Sequence, residues 1–344
     1  MNKIRVMIVD DSFFMRKLIR DMLQTDSGIE VVGEADGADA ALQHIAELQP
    51  DVVTLDIEMP GRNGVDTLRA IVAEPHHPSV IMLSGYPQEG AEMTLECLSL
   101  GAADFVIKPS GSFSLDIEKV TDTLLAKIKA AAAADTTKAP WPHVPPAPHT
   151  RVHSRTADGV VVIGASTGGP AALETLLPEL PSDFPYPVVV AQHLPKEFTA
   201  SFIERLQKIC QLPVALAKDH LRCAPGSLYL ASGGTTTHLR GQAKTAEFAV
   251  EVNTTDIQTP SVSQLMISAA KAYGAQTIGV LLTGMGDDGL SGMQTIKHAG
   301  GTTIVQDAAT SVVFGMGREV VQHGAADYIV PLGEVSSLLM RLVK

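Results

Sequence analysis

The sequence predicts an α/β protein with two domains joined by a linker. Short apolar runs alternate with longer helical patterns in residues 1–128 and again after residue 158, which is typical of parallel sheets covered by helices. Between these regions lies a segment rich in proline, threonine and histidine, with too few large aliphatic side chains to form a core. We therefore expect a first domain over residues 1–128, a Pro-rich linker over 129–158 and a second domain over 159–344.

The first domain is predicted to be a doubly wound, five-stranded parallel sheet. Five apolar runs are each followed by a helical pattern, so each run is expected to form a strand connected to the next by a helix. The predicted strands are Ile4–Val9, Val31–Gly33, Val52–Leu55, Val80–Leu83 and Phe105–Ile107.

Acidic, basic and hydroxyl side chains lie at or directly after the carboxyl ends of four of these strands. Asp10, Asp11 and Asp56 supply three carboxylates, Lys108 an ammonium group, and Ser84 a hydroxyl. Because the carboxyl ends of parallel strands meet at one edge of a sheet, we expect these side chains to lie together. Carboxylate oxygens suit Mg²⁺, and a lysine can offset the charge of a phosphoryl group. A single aspartate is most often a solvated loop charge, but the shared position of all four charged residues favours a site.

This arrangement resembles the receiver domain of two-component response regulators over about residues 1–128. The segments VMIVDDS, VVTLDIEMPGRNG, IMLSG and GAADFVIKP stand at the spacing of that family. The resemblance implies that Asp56 accepts a phosphoryl group from a sensor histidine kinase. It further implies that Asp10 and Asp11, with Asp56, bind Mg²⁺, and that Ser84 and Lys108 form the receiver switch.

The second domain is predicted to be a Rossmann-like, mostly parallel α/β fold. It begins with VVVIGASTGGP, which indicates a buried strand, a glycine turn and a helix with proline at its first position. Further predicted strands are Val188–Ala191, Val214–Leu216, Leu228–Ala231, Ile278–Leu282, Thr302–Val305 and Tyr328–Val330. The predicted helices are Ala171–Leu177, Thr199–Lys208, Val262–Tyr273, Gly289–His298 and Ser336–Leu342.

Three strands of this second domain are followed by residues that could act together as a serine nucleophile and its activating groups. Ser166 lies in the glycine turn after the first strand, where a sharp turn can expose its hydroxyl. A serine needs a base to remove its proton, and His193 at the end of the next strand is a candidate. Asp287 and Asp288 follow a third strand, and either could orient the histidine.

Two other functions are alternatives to hydrolysis. The segment GASTGG could be a degenerate dinucleotide loop of a binding module, but no acidic residue ends the following strand, as that fingerprint requires. A transcriptional regulator would need a basic DNA-binding domain, whereas the second domain has a Rossmann-like pattern. Three residues at neighbouring strand ends therefore favour hydrolysis over nucleotide binding.

Residues 159–332 resemble the catalytic domain of the chemotaxis-receptor protein-glutamate methylesterases. The matching segments are IGASTGGPAALE, VVVAQHLPKEFTASF, APGSLYLASGG, TPSVSQLM, GVLLTGMGDDGLSGM, IVQDAATSVVFGM and GAADYIVPL. The resemblance implies that Ser166 is the nucleophile, His193 the general base and Asp288 the orienting acid. It also implies that Thr167 supports the histidine and that the Met285 backbone N–H helps to bind the oxyanion.

The resemblance also implies a function for the whole chain. It is that of a phosphorylation-activated serine hydrolase that removes methyl groups from glutamate methyl esters, and deamidates glutamines, on chemoreceptors. This reaction resets sensory adaptation. The implied cofactor is Mg²⁺ for the receiver, with none for the hydrolase, and the implied partners are methylated chemoreceptors and a sensor histidine kinase.

Charge and hydropathy indicate where such a protein acts. Its 344 residues include 26 Lys and Arg against 38 Asp and Glu, for a net charge of −12, which disfavours nucleic acid as a partner. The three cysteines show no metal-ligand spacing. No uncharged apolar run approaches the ~18 residues of a membrane span, and no signal peptide pattern is present. We therefore expect a cytoplasmic protein that acts near membrane-bound receptors without inserting into the membrane.

Overall fold

The computed structural model describes residues 3–85, 90–109, 115–136, 159–253 and 259–343. Contacts within the chain divide it into two compact units, Met1–Thr137 and Lys138–Lys344. Most of the predicted linker lies outside the described residues.

The first unit contains a parallel sheet of five strands that alternate with five helices along the described chain. Its strands are β1 (Ile4–Val9), β2 (Ile29–Ala35), β3 (Val52–Asp56), β4 (Ser79–Ser84) and β5 (Asp104–Ile107). Its helices are α1 (Phe13–Gln24), α2 (Ala38–Leu48), α3 (Gly64–Val72), α4 (Ala91–Ser99) and α5 (Leu115–Thr136). The strands lie in the order β2-β1-β3-β4-β5, so the direction of winding reverses between β1 and β3.

Burial explains why these strands read as continuous apolar runs. Every residue of β3 is buried, as are the last four residues of β1, because helices cover a parallel sheet from both faces. All five predicted strands are present, and the predicted doubly wound fold is confirmed. Helix α5 continues to Thr136, so helical structure extends past residue 128, where the sequence analysis ended the first domain.

The second unit contains a larger parallel sheet and a separate antiparallel pair. Its strands are β6 (Val160–Ala165), β7 (Val188–Gln192), β8 (Val214–Leu216), β9 (Leu228–Leu230), β10 (Thr235–Arg240), β11 (Glu247–Val252), β12 (Thr277–Leu281), β13 (Thr302–Gln306) and β14 (Tyr328–Val330). Its helices are α6 (Gly169–Leu176), α7 (Thr199–Ile209), α8 (Val262–Tyr273), α9 (Leu290–His298), α10 (Met316–Gln322) and α11 (Leu332–Leu342). The large sheet has the order β14-β13-β12-β6-β7-β9-β8, and the predicted mostly parallel fold is confirmed.

Strand β6 lies at the centre of this large sheet, between β12 and β7. Its residue Gly164 pairs with Leu281 of β12 and with Ala191 of β7, and all three strands run in the same direction. The carboxyl ends of the three strands therefore open onto one edge. This register is what brings together the loops that follow them.

The sequence analysis missed the β10–β11 hairpin and helix α10. Strand β10 has the sequence TTTHLR, and only Thr237 and Leu239 of it are fully buried, so its apolar signal is weak. Its threonine-rich start has the composition of a loop rather than of a core strand. Helix α10 has only seven residues, too few to produce a clear helical period.

Candidate phosphorylation site and candidate active site

The first unit carries a cluster of carboxylates at the carboxyl edge of its sheet. Asp10 follows β1 and Asp56 ends β3, and these strands are neighbours. Both side chains are buried, while Asp11 beside them is exposed. One carboxylate oxygen from each of the three residues lies within 4.8 Å of the others. This all-oxygen donor set fits a hard divalent cation such as Mg²⁺.

Lys108 lies between the two buried carboxylates. Its Nζ is 2.7 Å from Asp10 Oδ2 and 2.7 Å from Asp56 Oδ1. Burial would lower the pKa of Lys108, but the two carboxylates outweigh this effect and raise it. Burial raises the pKa of Asp56 to about 6, because the nearby lysine offsets the loss of solvent only in part. The ammonium group is thus placed to balance a further negative charge on Asp56.

Ser84 ends β4, the strand next to β3, and is buried. Its hydroxyl accepts a hydrogen bond from Thr94 Oγ1 at 3.3 Å, which connects the sheet edge to helix α4. The structure thus places all five of the predicted receiver residues along one sheet edge, on β1, β3, β4 and β5 or directly after them.

The second unit holds Ser166 in the turn between β6 and α6, anchored from both sides. Its backbone N–H donates to Thr283 O at 3.0 Å, on the β12 side. Its carbonyl accepts from Gly169 N at 2.8 Å and from Gln192 Nε2 at 2.9 Å, on the β7 side. The backbone of Ser166 is therefore fixed by both neighbouring strands.

His193 connects Ser166 to Asp288 through two hydrogen bonds. Its Nδ1 is 3.1 Å from Ser166 Oγ, and its Nε2 is 2.9 Å from Asp288 Oδ2. A carboxylate can only accept, so Nε2 carries a proton and a neutral ring leaves Nδ1 as an acceptor for the serine proton. The histidine side chain is 10% exposed and the aspartate side chain 15%, so most of this relay is shielded from water.

The first turn of helix α8 holds the Asp288 carboxylate. Val262 N donates to Asp288 Oδ2 at 2.8 Å and Ser263 N donates to Oδ1 at 2.9 Å. Burial would raise the pKa of Asp288, but the hydrogen bonds from His193 and Ser263 outweigh it and lower the pKa to about 2. Free N–H groups at a helix start favour a negative charge in the same way.

The sequence alone left two acids as candidates, and the structure distinguishes them. The side chain of Asp287 is exposed, while its backbone carbonyl accepts from Leu290 N at 3.0 Å. Asp288, the next residue, bonds to the histidine. Sequence spacing could not separate adjacent residues, because the choice depends on where helix α8 approaches the loop.

The loop containing Met285 passes close to the serine. A side chain at Gly284 would lie 2.8 Å from Ser166 Cβ, so the glycine permits this approach. The Gly284 carbonyl accepts from Gly315 N at 2.9 Å, which fixes the loop. Among the described residues, no backbone hydrogen bond is found for the Met285 N–H, and its contact with an oxyanion stays a prediction.

Thr167 follows Ser166 and is 3% exposed. Its backbone carbonyl accepts from Thr283 Oγ1 at 2.9 Å, which ties the turn to the end of β12. Its predicted support of the histidine stays a prediction.

The sequence analysis did not single out Gln192, although it lies between the two loops of this edge. A polar residue at the end of a buried apolar strand, directly before a candidate base, was the available signal.

The fold and these two clusters define the class of protein: a response regulator whose second domain is an α/β enzyme. The CheB methylesterase family model matches residues 161–339, and the response regulator receiver domain model matches residues 6–117. The chain belongs to the CheB methylesterase family, with a receiver domain ahead of the esterase domain, as the resemblance predicted.

Individual relatives match along the whole chain. The protein-glutamate methylesterase/protein-glutamine glutaminase of Bacillus licheniformis is 41% identical over 355 residues, which cover 99% of each chain. The protein of the same name from Thermotoga maritima is 40% identical over 342 residues, covering 99% of this chain and 98% of that one. The crystal structure of the Thermotoga maritima CheB methylesterase catalytic domain covers 55% of this chain and 100% of its own, with 40% identity and a TM-score of 0.53.

No helix in the described part of the chain is long and apolar enough to cross a membrane.

Proposed function

We propose that this chain hydrolyses the γ-methyl esters of glutamate side chains on chemoreceptors, and deamidates receptor glutamines, under the control of its receiver domain. One observation carries the proposal: the hydrogen bonds from Ser166 Oγ through His193 to Asp288, at 3.1 and 2.9 Å. The names of the relatives and the family match support the substrate class.

In the first half of the reaction, Ser166 Oγ attacks the ester carbonyl carbon while His193 Nδ1 takes its proton. Asp288 keeps the ring oriented and stabilises its positive charge. The tetrahedral intermediate then collapses and expels the methoxy group, which takes the proton from Nδ1 and leaves as methanol. With a glutamine substrate the leaving group is ammonia, because esters and amides share the tetrahedral intermediate.

In the second half, a water molecule attacks the acyl-enzyme and His193 Nδ1 takes a proton from it. Collapse of this second intermediate returns the proton to Ser166 Oγ and releases a glutamate side chain. In both halves the Met285 N–H donates to the oxyanion, which is supported by its lack of a backbone partner among the described residues and by the close approach of Gly284 to Ser166. Thr167 holds the turn next to the serine.

In the receiver, Asp56 accepts a phosphoryl group from a sensor histidine kinase. Asp10, Asp11 and Asp56 would hold Mg²⁺, which would neutralise phosphoryl oxygens when bound. Lys108 already bridges the two buried carboxylates, so its ammonium group can pair with the negative charge that a phosphoryl group adds to Asp56. Ser84 responds through its hydroxyl, whose contact with Thr94 connects the site to helix α4.

Phosphorylation of Asp56 shifts the receiver between two states, and we infer that the phosphorylated state permits faster hydrolysis. The enzyme acts in the cytoplasm on receptors that are themselves in the membrane. Neither nucleic acid nor a hydrolase cofactor takes part.

The test is release of labelled methanol from methylated receptors, with and without a small-molecule phosphodonor in Mg²⁺. We expect release by the wild type, faster release with the phosphodonor, and release by Ser166→Ala that is slower by on the order of 10³-fold or more. Asp56→Asn is the matched control, since it should release methanol at the basal rate and ignore the phosphodonor. Full release by Ser166→Ala would refute the hydrolase assignment, and equal stimulation of Asp56→Asn would refute the phosphorylation site.

A further inference from the structure

Gln192 lies between the nucleophile and the base, and its side-chain amide contacts the backbone of both. It ends strand β7 and pairs with Ala165, the last residue of β6. Nε2 donates to Ser166 O at 2.9 Å and to His193 O at 3.1 Å. Gln192 is 2% exposed, so water does not compete for either hydrogen bond.

These bonds complete the anchoring of the serine turn. Gly169 N supplies the other donor to the Ser166 carbonyl, at 2.8 Å, so both lone pairs of this oxygen are used. On the other side, Ser166 N donates to Thr283 O. These bonds hold the peptide groups before and after the serine in one orientation. This orientation sets the direction of the Cα–Cβ bond that carries Oγ.

Space for the amide is provided by Gly169. A methyl group at this glycine would lie 1.9 Å from Gln192 Oε1 and 2.8 Å from its Cδ. Gln192 Oε1 itself is buried and has no hydrogen-bond partner among the described residues. Burial of the unpaired Oε1 is unfavourable, because a buried polar atom without a partner loses its hydrogen bonds to water. The favourable contribution of this side chain therefore comes from the two hydrogen bonds that Nε2 donates.

We propose that Gln192 is a positioning residue that fixes the distance and alignment between Ser166 Oγ and His193 Nδ1. A single buried amide connects the turn of β6 to the end of β7, so the two reacting groups keep their 3.1 Å contact without help from substrate. Misplacement of reacting groups by about 1 Å can cost on the order of 10²-fold in rate. This proposal rests on the proposed function, because it assigns Ser166 and His193 their reacting roles.

The first test compares Gln192→Met with wild type in the full-length protein, using methylated receptors as substrate. Methionine keeps the length of the side chain but cannot donate a hydrogen bond. We expect kcat to fall on the order of 10- to 10²-fold, with KM unchanged and the receiver still phosphorylated. Labelling of Ser166 by a serine-directed fluorophosphonate should slow by a similar factor, because it uses the same nucleophile and base.

A matched control separates positioning from simple loss of stability. Thr303→Val also removes buried hydrogen bonds, because Thr303 Oγ1 donates to Ala325 O at 2.7 Å and accepts from Asp327 N at 2.9 Å, but it does so near the amino end of β13. This end of the strand lies at the sheet edge opposite the site. We expect Thr303→Val to lower thermal stability and leave kcat unchanged.

The proposal fails if Gln192→Met keeps wild-type kcat and labelling rate, or if Thr303→Val loses as much kcat at equal stability. Should Gln192→Met not fold, Gly169→Ala tests the same contact from the other side, because its methyl group would displace the amide. Wild-type kcat in Gly169→Ala would also overturn the proposal. Failure of the hydrolase assignment is recognised separately, because the wild type would then release no methanol or Ser166→Ala would release it at the wild-type rate.

Discussion

Asp56, which is buried, and Asp288, whose side chain is 15% exposed, both lie near the carboxyl edge of a parallel sheet, yet their pKa values shift in opposite directions. For Asp56, burial dominates and raises the pKa to about 6 despite Lys108. For Asp288, hydrogen bonds from His193 and Ser263 overcome burial and lower the pKa to about 2. Asp56 therefore gains or loses its charge close to neutral pH, whereas Asp288 stays ionised.

The difference follows from the groups that surround each acid. Asp56 shares one lysine with Asp10, so two carboxylates compete for a single positive charge. Asp288 instead has backbone donors from the start of helix α8 in addition to the histidine. Under the proposed roles, the shared lysine suits an aspartate that accepts a phosphoryl group, and the complete set of donors suits an aspartate that orients a base.

The largest effect is expected at Asp56, the proposed phosphorylation site. Asp56→Asn should abolish labelling by a phosphodonor in Mg²⁺, because an amide is a poor nucleophile, while unstimulated ester hydrolysis continues. Labelling measured by intact-protein mass spectrometry checks this, with Ser166→Ala as a control that should label normally. Undiminished labelling of Asp56→Asn would move the phosphorylation site to another residue.

In the second unit, Ser166→Ala and His193→Ala should each lower kcat for ester hydrolysis by on the order of 10³-fold or more. The double variant should be no worse than either single variant, because the two groups act as a unit. Steady-state methanol release measures this. Multiplicative losses in the double variant would mean that the two residues act independently, contrary to a shared proton transfer.

Adjacent acids provide the next comparison. Asp288→Ala should lower kcat by roughly 10²-fold or more, less than the serine variant, because the acid orients and stabilises the imidazolium without transferring a proton. Asp287→Ala should be mild, since its side chain is exposed and its neighbour contacts the histidine. The reverse outcome, with Asp287→Ala severe and Asp288→Ala silent, would show that the acid is wrongly assigned.

The smallest predicted effects concern stability and have opposite signs. At pH 7 in the presence of a chelator, Asp56→Asn should stabilise β3, because the wild-type carboxylate is ionised at a site that disfavours its charge. This gain should shrink as the pH falls through about 6 and disappear near 4. Asp288→Asn should destabilise β12 at pH 7, and this loss should vanish only as the pH falls from about 4 to about 2.

Each of these two effects is expected to be roughly 2–3 kcal/mol, from the size of the pKa changes. Hydrogen–deuterium exchange of peptides from β3 and β12 follows each unit separately within the full chain. Effects of the same sign at both positions would contradict the contrast between the two sites.

Much of this architecture was predictable because buried parallel strands leave a strong apolar signal. Helix α8 was predicted with its observed bounds, and the strand ends that carry Asp10, Asp56 and Ser166 were located from the same signal. The two groups of residues were expected together because parallel strands align their carboxyl ends.

What escaped prediction depends on contacts between elements distant in sequence. Gln192 acts on a turn 26 residues away, and no local pattern reports that its amide reaches Ser166 O. The hydrogen bonds from the first turn of helix α8 to Asp288 likewise depend on how this helix packs against the loop after β12. The β10–β11 hairpin was missed for another reason, since its threonine-rich strand buries few side chains.

The central position of β6 has a consequence for how the enzyme forms. Its hydrogen-bonded relay joins residues 27 and 95 positions apart, so the site has almost no local component. Such contacts form only after long loops have closed, and chains dominated by them fold slowly. An incompletely folded esterase unit would therefore have no hydrolytic activity at all. Newly made protein would begin to demethylate receptors only when β7, β6 and β12 had all joined the sheet.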